Sequence, residues 1–159
     1  MSISNVKLEE ICKKKGIPLN GVYMKDELAE IQPQEGNYII NLQSSYQGSG
    51  THWLALIIQR DSIYYQDSFG VIYPLEVLVF IHRYEQNNIK CRIGHNMTQI
   101  QDLNSVRCGW FCLGLLYFVK CHRDTPLFDV CNDFVNMFSD DLKLNDQILM
   151  KYLNEHKIK

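Results

Sequence analysis

The sequence predicts an α+β fold in one domain spanning residues 1–159, a central mixed sheet flanked by helices. Two short apolar runs, "NYIINL" at 37–42 and "HWLALII" at 52–58, are rich in β-branched or aromatic residues and bounded by polar and glycine-containing segments. Such runs read as central strands, the second covered on both faces. The run "GWFCLGLLYFVKCH" at 109–122 is apolar almost throughout, which marks a helix enclosed by other structure. No internal repeat and no Gly/Ser/Pro-rich linker divides the chain, and helices grouped around one sheet make the class α+β.

Taken in order, "SNVKLEEICKKKG" places Val6, Leu8, Ile11 and Cys12 at helical spacing, with Ser4 or Asn5 to cap the start and Gly16 just past the end. After the two central strands, "QRDS" makes a turn into a third strand, "IYYQD", and the resulting hairpin carries His52 and Asp67. "YPLEVLVFIHRYEQNN" offers Pro74 at a first helical position, followed by apolar residues at helical spacing. "KCRI" and "MTQIQ" read as two further short strands or extended segments. Asn104 or Ser105 caps the enclosed helix, and two amphipathic helices follow, opened by Thr125-Pro126 and by Asn145-Asp146.

Composition narrows the function. A net charge of −2 gives no general basic field, so DNA or membrane-surface binding is not an electrostatic expectation for the whole chain. The N-terminal "MSISNVKLEE" has no basic region leading into an apolar one, and no apolar stretch reaches membrane-spanning length, so an intracellular, non-secreted monomer is expected. The six cysteines are then free thiols. There is no C-x-x-C pair, and no metal site is expected.

Cys108 stands apart, between an arginine and a glycine at the mouth of the enclosed helix. In the first turn, unpaired backbone N–H groups and the positive end of the helix dipole favour a thiolate. An imidazolium partner and a helix N-terminus together bring a thiol from pKa ~8.5 to roughly 3.5–7.5. Gly109 would let a substrate backbone approach. His52 opens one strand and Asp67 ends its antiparallel neighbour, so the carboxylate can fix the histidine tautomer and stabilise the imidazolium. Gln101, seven residues before the cysteine, can donate an amide N–H to an oxyanion alongside the Cys108 backbone N–H. For the remaining thiols, Cys12, Cys112, Cys121 and Cys131, packing is the expectation. Leu113, Leu115, Leu116, Phe118 and Val119 are core candidates that hold the helix to the sheet.

The segment Gln101-x-x-Asn104-Ser105-x-x-Cys108-Gly109, the Gly-Thr-His52-Trp53 strand start and "DSFG" from Asp67 to Gly70 resemble the adenovirus-type (adenain-like) maturation proteases. Those belong to the wider clan of ubiquitin-like-protein proteases, and the resemblance covers about residues 5 to 120. It implies a papain-like/adenain-like cysteine protease fold with the nucleophile at the N-terminus of a buried helix. The roles it implies are Cys108 as nucleophile, His52 as general base and acid, Asp67 as its orienter and Gln101 as oxyanion donor, with Trp53 and Gly109 at the substrate. The adenovirus enzymes usually carry Glu where this chain has Asp67. The deSUMOylating branch has Asp before the cysteine, where this chain has Arg107.

The resemblance further implies a thiol endopeptidase of a virus, virophage or virus-like transposon, acting in the virion and the infected-cell interior. Its substrates would be viral capsid precursor proteins, cut after Gly in Gly-Gly-X-like sites through a thioacyl-enzyme. No cofactor is required for the chemistry, but Cys91 lies close to where the adenovirus enzymes bond an activating peptide from a capsid precursor. Two alternatives stand beside this reading: an isopeptidase that removes ubiquitin-like modifiers, and a catalytically silent, capsid-associated binding module.

Overall fold

A computed structural model describes residues 2–48 and 50–159. Helix α1, Asn5–Lys15, is capped by Ser4, whose side chain accepts from the Lys7 N–H, and is closed by left-handed Gly16. Strand β1, Gly21–Met24, and a 3-10 helix, Lys25–Glu30, follow. Then come β2, Gly36–Asn41, β3, Trp53–Ile58, and β4, Ser62–Gln66. Helix α2, Leu75–Gln86, leads to β5, Arg92–His95, and to α3, Cys108–Cys121. Helix α4, Leu127–Asn136, a short 3-10 turn at Leu142–Leu144 and α5, Asn145–Glu155, complete the described elements.

The strands form one five-stranded sheet in sequence order. It is mixed: β1 and β2 are parallel, β2–β3 and β3–β4 antiparallel, and β4–β5 parallel. The period-2 alternation of the strands sorts their side chains onto two cores. Ile39, Trp53, Ala55, Ile57 and Tyr64 face the layer of α1, α3, α4 and α5, whereas Tyr38, Ile40, Leu54, Leu56, Ile63 and Tyr65 face α2 and the first 3-10 helix. All six residues of β3 are buried, which is why its sequence shows no polar alternation.

Several local expectations change. β1 carries no sequence signal, since its four residues are all half-buried. Residues 97–101 form no strand; the Ile100 and Gln101 N–H groups both donate to the Ser68 carbonyl, at 2.9 and 3.0 Å. Pro74 is the N-cap of α2 rather than its first helical residue, and Pro126 is the N-cap of α4. Helix α3 begins at Cys108 with Arg107 as its N-cap, because Asp102 through Ser105 fold into a separate turn, in which Ser105 N–H donates to Asp102 O at 2.9 Å. Cys108 is therefore the first helical residue, closer to the unpaired N–H groups than a cap at Asn104 or Ser105 would have placed it. Asn145 likewise opens α5 from inside the helix, its fully buried amide donating to Ile100 O at 2.9 Å.

Candidate active site

One end of the sheet collects the reactive groups. His52 immediately precedes β3 and Asp67 immediately follows β4, and the Ala55↔Gln66 register brings these two strand ends together. The His52 Nε2–H donates to Asp67 Oδ1 at 2.7 Å, with both side chains buried. That leaves Nδ1 as the ring nitrogen for Cys108, to which His52 is hydrogen-bonded. Phe69 stacks on the imidazole at a centroid distance of 4.4 Å and an interplanar angle of 16°, and its N–H donates to Asp67 Oδ1 at 2.8 Å. The ring is thus held in its plane from one side and by its edge.

The electrostatics favour an ion pair. Burial disfavours the charged imidazole, but hydrogen bonds to Asp67 and Cys108, with their charges, reverse that effect and raise the His52 pKa to about 9. Burial also pushes the Cys108 thiol up. Here the His52 hydrogen bond, the Trp53 and Gly109 backbone N–H groups and the His52 charge outweigh it, and the thiol lies below its ordinary value. The other buried thiols lack such partners: Cys12 is raised to about 11, and burial raises Cys112 and Cys131 as well. Only Cys108 among the buried cysteines combines a lowered pKa with an imidazolium, the combination a sulfur nucleophile needs.

Gln101 is 1% exposed and is fixed by hydrogen bonds from two directions. Ser68 Oγ donates to its Oε1, and its Nε2 donates to Ser105 O at 2.9 Å. Because the Ser105 carbonyl can only accept, it fixes Nε2 as the amide end that faces it, and the second Nε2–H can donate to an oxyanion. The loops that carry these groups touch closely at Gly70, which has φ 74°; a Cβ there would lie 2.9 Å from Gln99 N. The structure therefore brings His52, Asp67 and Cys108 into direct contact, and ties Gln101 to them through Ser68, the residue after Asp67.

The two residues expected at the substrate are placed differently. Gly109 is buried, and a Cβ on it would come within 2.2 Å of Ile3 Cγ2 and 3.1 Å of Trp53 Cδ1. The space expected for substrate backbone at this position is filled by the N-terminal segment. Trp53 is 5% exposed and its Nε1–H donates to Ile3 O at 3.0 Å, so most of the indole is core. Its edge borders a groove of about 160 Å³ shared with Asn5, Tyr23, Met24, Ser45 and Gly48. Cys91 lies on the opposite, α2 face of the sheet. It is 8% exposed, its thiol donates to Ile89 O at 3.4 Å, and burial and Glu85 raise its pKa. A disulfide to an activating peptide would first require that sulfur to be uncovered. No cluster of His, Cys, Asp or Glu able to hold a metal ion occurs among the described residues, and no described helix is long and apolar enough to cross a membrane.

Sequence reasoning missed Asn96, Ser68 and Phe69. Asn96 is 5% exposed, and its amide brackets the Asp67 backbone, accepting from Asp67 N–H at 3.0 Å and donating to Asp67 O at 2.6 Å. Nothing in the local sequence marks it, because its partner is 29 residues away. For Ser68 and Phe69, adjacency to Asp67 was the available signal.

No family model and no curated protein matches the sequence. Solved structures do match in fold. An ASFV protease superposes with a TM-score of 0.63 at 14% identity, covering 99% of this chain and 67% of its own. The central domain of an uncharacterized Legionella pneumophila protein gives 0.55 at 10% identity, covering 98% and 96%. ChlaDub1 from Chlamydia trachomatis gives 0.50 at 16% identity, covering 98% and 79%. What this chain shares with them is architecture: the α+β, papain-like fold of the ubiquitin-like proteases.

Proposed function

We propose that the chain is a cysteine endopeptidase of the ubiquitin-like-protease clan, adenain-like in kind, that processes viral capsid precursor proteins in the virion or the infected cell. The observation that carries the chemistry is the buried Cys108–His52–Asp67 array, in which the thiol is lowered and the imidazole raised. The Cys108 thiolate attacks the scissile carbonyl and the bond to the leaving nitrogen breaks as His52 delivers its proton. A thioacyl-enzyme results. Water, deprotonated by neutral His52, then hydrolyses it. The oxyanion of each tetrahedral intermediate is met by the Gln101 amide and the Cys108 backbone N–H. Cleavage after Gly in Gly-Gly-X-like sites extends the resemblance in the sequence, and the small groove beside Trp53 is compatible with small side chains.

The fold is also that of ChlaDub1, and the loops at this end of the sheet carry exposed apolar residues: Tyr46, Val71, Ile72, Met97, Leu103 and Val106. These exposed apolar side chains favour a second reading, an isopeptidase that holds a folded ubiquitin-like modifier. Both readings are tested by incubating the protein and its Cys108→Ala variant with capsid precursors of its own genome and with modifier precursors, locating cuts by mass spectrometry. Precursor cleavage after Gly by the unaltered protein alone supports the maturation role; cleavage of modifier precursors alone replaces it with the isopeptidase.

A further inference from the structure

We infer that Asn96 is a positioning residue for the acid of this site, holding Asp67 through its main chain so that the carboxylate stays aimed at His52. The inference rests on the reading of Cys108, His52 and Asp67 as the reacting array. It starts from where the sheet ends. β4 and β5 run parallel with Tyr65 opposite His95, so Asn96 and Asp67 are the residues at which the ladder runs out. Beyond that point Asp67 has no strand neighbour on the β5 side, and its N–H and C=O need partners because the residue is 2% exposed.

The Asn96 side chain supplies both partners. Its Oδ1 accepts from Asp67 N–H at 3.0 Å, and its Nδ2 donates to Asp67 O at 2.6 Å and to Thr98 O at 3.2 Å. One amide thus continues the sheet by one residue, a task that needs an acceptor and a donor on a short side chain. Its own backbone is anchored in turn, Asn96 N–H donating to Tyr65 O at 3.4 Å, while the His95 Nδ1–H donates to Asn96 O at 3.1 Å. With the Asp67 main chain held, the carboxylate has only its side-chain torsions left, and Oδ1 is occupied by the Phe69 N–H and by His52. Ser68 follows directly, so the same clamp governs the residue that orients Gln101. The titratable groups beside the pair include His95 from β5, against Asn96 O, Tyr65 from β4, raised by burial and then by Asp67, and Cys112 from α3, raised by burial and then by Cys108 and Asp67.

The test reads the thiol itself and needs no substrate. The protein is alkylated with iodoacetamide between pH 5 and 10, and the modification of Cys108 is followed separately from the other cysteines by peptide mass. Unaltered protein is expected to show a Cys108 midpoint below that of an ordinary thiol. Asn96→Ala is expected to move that midpoint up and slow alkylation at pH 6.5 by about tenfold to a hundredfold, the scale set by misplacing a reacting group by 1 Å or less. Because Asn96 acts through Asp67, adding Asn96→Ala to Asp67→Ala is expected to change the profile no further. A Cys108 profile unchanged by Asn96→Ala, or a loss that adds in full to that of Asp67→Ala, overturns the inference. An ordinary thiol profile in the unaltered protein would overturn the reading of the site itself, and the inference with it. If circular dichroism shows Asn96→Ala unfolded, Asn96→Ser takes its place. It adds no charge, and its one short hydroxyl cannot bridge both the Asp67 N–H and C=O as the amide does, so it is expected to give a smaller shift in the same direction; no shift overturns the inference.

Discussion

Replacing Gly109 by alanine sets two physical accounts of the first turn of α3 against each other. If the glycine faced open space for a substrate, alanine would be the better helix former and would stabilise the protein by roughly 0.5–1 kcal/mol. The structure instead places the new Cβ 2.2 Å from Ile3 Cγ2, 3.1 Å from Trp53 Cδ1 and 3.4 Å from Leu8 Cδ2. The last of these is an ordinary contact, the second requires a few tenths of an ångström, and the first requires Ile3 to move by more than 1 Å, since carbon pairs rest near 3.5–4 Å. Ile3 is 7% exposed and its carbonyl holds the Trp53 indole, so it cannot move freely. Overpacking of this kind costs about 1–3 kcal/mol, which exceeds the propensity gain. For a domain of this size that corresponds to a fall in Tm of roughly 2–10 °C, measured by circular dichroism. Shaving the neighbour in the double variant Ile3→Ala/Gly109→Ala should recover part of the loss contributed by Gly109→Ala. A raised Tm for Gly109→Ala, with only KM for a peptide substrate worsened, would refute the packing account and restore the glycine to the substrate.

Four further outcomes are expected. The alkylation rate and kcat/KM should both rise with pH as the lowered Cys108 thiol ionises and kcat/KM should fall again as His52 loses its proton near pH 9; a rise that begins only near the ordinary thiol pKa would contradict the ion pair. Because the His52 pKa is raised from 6.5 in the folded state, its protonation contributes stability that is complete below about pH 6.5 and lost as pH climbs through about 9, so the denaturant midpoint should drop across that window and should do so less in His52→Gln. Leu116 is fully buried against the α3 face of the sheet, and Leu116→Ala should cost roughly 2–5 kcal/mol by urea unfolding, an unchanged midpoint contradicting the placement of α3. Gln101→Ala should lower kcat by about 10²–10³ while leaving Cys108 alkylation near that of the unaltered protein, because it removes an oxyanion donor and no partner of the thiol; equal losses in both assays would assign Gln101 to thiol activation instead.

The sequence by itself determined the elements whose signals are local. Ser4 and Gly16 bracket α1 because capping acts within one helical turn, and β3 shows its burial on both faces as an unbroken apolar run. The residue types of the site, a thiol before a buried helix and a histidine and an aspartate at the ends of paired strands, could be read for the same reason. The tertiary structure alone decided what depends on distant partners. β1 exists because β2 offers it a parallel edge, and the residues at 97–101 are irregular because the Ser68 carbonyl takes the N–H groups of Ile100 and Gln101. Asn96 meets Asp67 across 29 residues and Ile3 meets Trp53 across 50, closing the space beside Gly109 that the sequence left open. Propensity and periodicity describe a residue's immediate neighbours along the chain. The orientation of a carboxylate is fixed by whichever groups packing brings to it, so only the folded chain could show what holds Asp67 against His52.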